Sequence, residues 1–283
     1  NNNKIKKMDI RFQHSPGETR QMNTQQLRES FLIEELFEPG KVKLTYTHYD
    51  RMIVGGVMPA DTAVALATEE ELKASFFLER REMGIINVGG KGSVLSDGVV
   101  FELDKLDCAY LGKGANDVYF KSVSASDPAK FYLLSVPAHH SYPSRMMTKE
   151  EAAPVKMGDA ATSNKRTIYK YIHKAGIESC QLIMGLTTLE EGSVWNSGPP
   201  HTHTRRMEAY FYFDLDASHR LMHFMGEPNE TRHLIIANNQ AVVSPPWSMH
   251  FGCGTSSYGF IWGMAGENQE FTDMDQVAIA AIL

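Results

Sequence analysis

The chain has 283 residues, enough for about two domains of roughly 150 residues each. Lys and Arg total 28 against 34 Asp and Glu, a net charge of −6, which excludes the basic surface of a nucleic-acid binder. A content of 42% hydrophobic and 22% charged residues excludes a disordered chain. No apolar run is long enough to predict a membrane-spanning helix.

The start, Asn1 to Met8, holds basic residues with no apolar stretch behind them, so as given it is not a secretory signal. Cys108, Cys180 and Cys253 are widely spaced and odd in number, which predicts reduced thiols and a cytoplasmic setting. A short amphipathic helix is expected over Thr24–Phe31. From Lys41 onward, short β-branched and aromatic runs alternate with Gly, Asp, Asn and Pro. Val42–Tyr46, Arg51–Met58, Gly84–Val88, Val99–Leu103 and Lys130–Val136 are such runs, and they predict an all-β sandwich or barrel. Pro137, Pro143 and Pro154 interrupt the pattern in a polar stretch with two small helical possibilities. Strands resume at Gln181–Leu186 and continue to Ile261–Met264; the apolar Met274–Leu283 is a short helix or a tail docking on a neighbour. The expected boundaries are an arm over 1–30, a β domain over 31–137, a connector over 138–167 and a second β domain with its tail over 168–283.

The two halves share a faint pattern. Arg80-Arg81 superposes on Arg205-Arg206 at an offset of 125 residues, with an aromatic β run further along each half. A period that long excludes a solenoid and suggests two copies of one β domain.

The chemistry concentrates in Pro200-His201-Thr202-His203-Thr204-Arg205-Arg206-Met207-Glu208. Residues two apart in a strand face one side, so His201 and His203 can aim at one point, and a tight turn can return Glu208 to it. Pro245-Pro246-Trp247-Ser248-Met249-His250 offers a fourth donor from far along the chain. Three imidazoles and a carboxylate suit a first-row divalent metal and leave open positions on it. A strand beginning at Glu208 places Tyr210 and Tyr212 on its face, which makes Tyr210 a candidate for proton transfer. Glu208 is a second candidate base. Arg206 and Arg166 are candidates for binding a substrate carboxylate. The other histidines carry no such setting and default to solvated or structural roles.

His-x-His-x4-Glu with a distal His resembles the metal motifs of the cupin superfamily. More narrowly, the chain resembles the bicupin family of 5-keto-4-deoxyuronate isomerases. The resemblance is carried by Arg51–Gly56, Phe77–Gly90, Tyr110–Gly114, Thr162–Thr167, Cys180–Gly185, His201–Phe213, Glu230–His233 and Phe260–Gln269, all in order. It covers the chain from about residue 9 onward; Asn1–Met8 has no counterpart.

The resemblance implies two tandem cupin barrels with metal only in the second. On the arginine superposition His201 and His203 fall on Phe76 and Leu78. Glu208 falls on Met83, or on Glu82 with one gap, and Ser244 aligned on Tyr110 puts His250 on Asn116. It further implies one Zn2+ per subunit held by His201, His203, Glu208 and His250, and a homo-oligomer, as a hexamer. The implied reaction interconverts 5-dehydro-4-deoxy-D-glucuronate and 3-deoxy-D-glycero-2,5-hexodiulosonate in the catabolism of pectin-type uronates. An iron-dependent cupin dioxygenase and a non-catalytic sugar-binding cupin are the alternatives that the metal motif alone leaves open.

Overall fold

Val42–Thr47, Ile53–Val57, Phe131–Pro137, Arg81–Asn87 and Cys108–Leu111 lie side by side and antiparallel, in that order, in the first of two large sheets, with Asp9–Arg11 added parallel to Val42–Thr47 at its edge. The computed structural model describes residues 8–283. Asn1–Lys7, the start of the expected arm, lie outside the described residues. In the second large sheet Arg166–Ile172, Ile183–Leu189, Gly259–Gly266, Arg206–Phe213 and Gln240–Ser244 repeat the same order.

A smaller sheet faces each large one. In the first half it runs Val64–Ala65, Tyr119–Ser122, Gly92–Ser96, Val99–Leu103. In the second it runs Trp195–Thr202, His250–Gly254, Leu221–Glu227, Glu230–Ile236. The two halves thus share one topology, that of tandem cupin barrels. The second adds one strand with no counterpart in the first: Asp275–Gln276, at the edge beside Trp195–Thr202.

Strand register settles the alignment that sequence left open. Aligning the aromatic runs, Phe131 on Phe260, puts Ser135 on Met264; Met83 pairs with Ser135 and Glu208 with Met264, so Met83 occupies the position of Glu208. The same register matches Ser244 to Leu111, one residue from the expected match to Tyr110. Strand alternation turns Glu82 to the opposite face, where Tyr110 donates to its carboxylate at 2.7 Å. Met83, Leu78, Ile85, Leu111 and Phe131 form the core of the first barrel, all essentially inaccessible. Each such side chain contributes roughly 1.5–3 kcal/mol by leaving water.

The units divide differently from the expected boundaries. The first comprises the described residues up to Arg11 with Leu36–Thr148, and the second Phe12–Glu35 with Lys149–Leu283. The helix Thr24–Phe31 forms as expected, capped by Asn23, which accepts from the Gln26 amide while the Gln26 side chain accepts from the Asn23 amide. It buries Leu27 and Phe31. Leu32–Ile33 then pairs with Gln240–Ser244, and Trp247 Nε1 donates to the His14 carbonyl at 3.0 Å. These bonds make residues 12–35 part of the second barrel. The expected connector holds no helix. Arg145–Met147 pairs with Cys108–Leu111, and Val155–Met157 with Arg166–Ile172. Three-residue edge strands tolerate flanking prolines, and that concealed them in the sequence.

Candidate metal centre and its pocket

Trp195–Thr202 delivers His201 near its end. His203 stands in the following turn, closed by the Arg206 amide donating to the His203 carbonyl at 3.0 Å. Arg206–Phe213 starts at once, with Glu208 as its third residue. His250 opens His250–Gly254, directly opposite His201 in the antiparallel pair. Residues opposite one another share a face, so two distant imidazoles meet.

One ligand atom from each of His201, His203, Glu208 and His250 lies within 4.8 Å of all the others. Glu208 Oε2 is 2.9 Å from His250 Nε2 and 3.1 Å from His203 Nε2. His250 Nε2 and His201 Nε2 are 3.1 Å apart. The outward nitrogens are committed elsewhere. His203 Nδ1 donates to the Arg206 carbonyl at 2.9 Å, and His250 Nδ1 lies 3.2 Å from Ser244 Oγ and 3.3 Å from the Ser248 carbonyl. A carbonyl only accepts, so the His203 Nδ1 carries the proton, and in both rings it is Nε2 that faces the cluster.

Burial, helped by neighbouring His250, pushes His201 down to about 3. Burial alone would raise Glu208, but His250 and His203 outweigh it and hold the carboxyl well below its ordinary range. Burial also works against a charged His203, yet the hydrogen bond that His203 donates to the Glu208 carboxylate reverses the balance and raises it. The result is a buried anion ringed by imidazole nitrogens, a donor set that fits a borderline divalent cation. Among the described residues no other His, Cys, Asp and Glu side chains converge in this way.

A cavity of about 300 Å³ opens beside His201, Glu208 and Tyr210. Phe260, Trp262, Met264 and Phe271 form its apolar wall. Tyr210 shares the face of Glu208, as the strand period predicts; its hydroxyl is 3.2 Å from Ser197 Oγ. Burial, and then the nearby Glu208 carboxylate, push this phenol well above its ordinary value, so it keeps its proton. Tyr212 lies beside it, hydrogen-bonded through its hydroxyl to His223 Nδ1 at 2.7 Å. His223 is fully buried, with Nδ1 in this hydrogen bond and Nε2 without a partner.

The two candidate arginines part company. Arg206 borders the cavity but is fully buried, and its guanidinium donates to the carbonyls of Glu270 at 2.7 Å and Asp273 at 2.8 Å. Arg205 Nε donates to Asp273 Oδ1 at 2.8 Å, and its Nη2 reaches Asp275 at 2.9 Å. The tandem arginines therefore fasten the C-terminal segment, while the Arg206 Nε is buried with no hydrogen-bond partner at the cavity that Arg206 borders. Arg166 is half-buried at the cavity wall and spends only Nη1, on the Asn164 carbonyl at 2.9 Å. Burial lowers its pKa from the ordinary value.

Sequence reasoning missed the C-terminal contribution. Phe271, Met274 and Gln276 line the cavity, and Asp275–Gln276 pairs with His201 and Thr202. Of the two expectations for Met274–Leu283, a short helical turn forms over Ile279–Ala281, and the Leu283 amide donates to the Pro228 carbonyl at 2.9 Å. The acids Asp273 and Asp275, complementary to Arg205-Arg206, were the available signal.

Two barrels of one topology, one filled with apolar side chains and one enclosing a His/Glu cluster beside a cavity, define a bicupin with a candidate metal centre. The KduI/IolB family model matches residues 31–282, and the chain belongs to that family. It is 54% identical over 272 residues to the 4-deoxy-L-threo-5-hexosulose-uronate ketol-isomerase of Shouchella clausii, covering 96% of this chain and 99% of that protein. It is 53% identical over 268 residues to the protein of that name from Halalkalibacterium halodurans, covering 95% and 97%. The fold is similar to that of an IolB-like protein from Salmonella typhimurium, with a TM-score of 0.65 at 14% identity, covering 87% of this chain and 96% of that one. No helix among the described residues is long and apolar enough to cross a membrane.

Proposed function

We propose that the chain is a divalent-metal-dependent aldose–ketose isomerase acting on 5-dehydro-4-deoxy-D-glucuronate in uronate catabolism. The observation that carries this reading is the convergence of His201, His203, Glu208 and His250 beside a cavity bordered by Arg166, in a chain about half identical, nearly end to end, to named ketol-isomerases.

The open-chain substrate has an aldehyde at C1, hydroxyls at C2 and C3, a ketone at C5 and a carboxylate at C6. Isomerisation moves the C2 hydrogen to C1 and the O2 proton to O1. His201, His203, Glu208 and His250 would hold a divalent cation, which when bound would supply electrophilic stabilisation of the negative charge that develops on the substrate oxygens. Arg166 binds the C6 carboxylate through the N–H groups it has not spent on Asn164. Tyr210 keeps its phenolic proton and donates a hydrogen bond towards the reacting oxygens. Both imidazole contacts of Glu208 fall on Oε2, so Oε1 is the oxygen assigned to carry the proton from C2 to C1. Phe260 and Trp262 keep water from the exposed carbanion face.

Zinc is the metal we assign; manganese, iron, cobalt and nickel satisfy the same donors. Cys108, Cys180 and Cys253 are all free thiols, which supports a cytoplasmic setting. A homo-oligomer, taken as a hexamer, is part of the proposal, with exposed apolar residues such as Val99, Val100 and Tyr119 available for contacts. The test is conversion of the uronate under strictly anaerobic conditions, with the product identified by NMR. Anaerobic turnover to the 2,5-diulosonate supports the isomerase. A requirement for oxygen, or binding of the uronate without turnover, overturns it.

A further inference from the structure

We infer that Gln276 is a specificity-determining residue that hydrogen-bonds the C3 hydroxyl of the open-chain uronate; this deepens the proposed function and rests on it. The first observation is topological. Among the described residues five strands of each large sheet and four of each small sheet correspond in order, and the small sheet of the second barrel alone carries a fifth strand, Asp275–Gln276, at its edge. That addition sits against the strand bearing a candidate metal ligand, with Gln276 directly opposite His201. Opposed residues of an antiparallel pair point to the same face, so the amide of Gln276 shares the face of the His201 imidazole, and both border the cavity.

The second observation is an accounting of polar groups around the cavity. Thr187 Oγ1 accepts from Trp262 Nε1 at 3.2 Å. Ser197 is engaged with Tyr210, and Arg206 with two carbonyls. Arg166, the Nε of Arg206 and Gln276 keep hydrogen-bonding capacity to spare outside the metal cluster and its tyrosine, and among the described lining residues Gln276 is the one neutral amide. The guanidinium groups suit the carboxylate. The neutral amide offers both a donor and an acceptor, which suits a hydroxyl. Gln276 stands next to the candidate centre, and C3 is the first carbon beyond the reacting C1–C2 pair.

The third observation is that this strand is held in place. Arg205 bonds Asp273 and Asp275 on either side of Met274, Arg206 bonds the Glu270 and Asp273 carbonyls, and the Val277 amide donates to the Pro200 carbonyl at 2.9 Å. A contact residue on a fastened strand can discriminate between substrates, because its position is set before binding.

The test is Gln276→Met, which keeps length and removes hydrogen bonding at an exposed position. KM for the uronate rises about tenfold with kcat within about twofold, as for loss of one hydrogen bond made equally to substrate and transition state. Bound metal and melting temperature stay at wild-type values. On the 3-deoxy analogue of the substrate the variant and the wild type have equal KM. An unchanged KM on the uronate overturns the inference, as does a KM penalty that persists on the analogue or a loss of metal. If the wild type itself fails to convert the uronate, the proposed function falls, an outcome separate from any of these.

Discussion

Replacing Arg206 by Ala separates its role as a fastener from a role in binding substrate. The guanidinium is inaccessible and makes two charge-assisted bonds, to the carbonyls of Glu270 and Asp273. Bonds of this type are worth about 1.5–3 kcal/mol each when cut at one partner, and the stranded carbonyls regain part of that from water once the segment loosens. A net loss of about 3 kcal/mol for closure of the segment follows, or about 150-fold in its opening equilibrium. Native-state hydrogen exchange reads this directly. The Glu267 amide, bonded to the Arg205 carbonyl at 3.0 Å, and the Val277 amide, bonded to the Pro200 carbonyl at 2.9 Å, are the reporters. Both exchange about 100-fold faster in Arg206→Ala, while amides of Ile183–Leu189 in the middle of the large sheet keep their protection. Unchanged exchange at the two reporters, together with a sharp rise in KM, would refute the fastening role and return Arg206 to the substrate.

Arg166→Ala raises KM about 30-fold or more with a smaller effect on kcat, as expected for loss of a charge-assisted contact to a carboxylate; steady-state kinetics on the uronate measures it, and a fall in kcat at constant KM contradicts the assignment. The C-terminal segment also has a predictable response to acid. Arg205 hydrogen-bonds Asp273 and holds it at about 2, below the ordinary 3.8. A folded-state pKa below the unfolded value stabilises above the unfolded value and is lost as pH falls through the folded one. Protection of the Val277 amide, corrected for intrinsic exchange, therefore holds from neutrality to about pH 4 and falls between about 4 and 2. Asp273→Asn removes that component, and a transition centred above pH 5 would speak against it.

Much of the site was legible because its signals are local. His201, His203 and Glu208 sit within one strand–turn–strand unit, and strand alternation alone aligns Glu208 with Tyr210 and Tyr212. His250 was legible through the two prolines that stiffen its approach. The duplication was legible in the paired arginines, but only strand register decides between Met83 and Glu82 as the counterpart of Glu208. What escaped depends on long-range pairing. Nothing near Leu32 says that it will join Gln240–Ser244, and nothing near Gln276 says that it will lie opposite His201. The fastening role of Arg206 escaped for a related reason. An arginine suited to a carboxylate is equally suited to backbone carbonyls, and only the returning tail at Glu270 and Asp273 shows which it meets.

The most direct test of the metal-dependent mechanism pairs elemental analysis with the isomerase assay on the wild type and on His250→Ala, before and after chelation. About one equivalent of a first-row divalent metal per wild-type chain is expected, with turnover lost on chelation and restored by adding the metal back. His250→Ala should lose both metal and turnover while the first barrel stays folded. Full turnover in a metal-free preparation, or in His250→Ala, would contradict the reading of these four side chains as one catalytic centre.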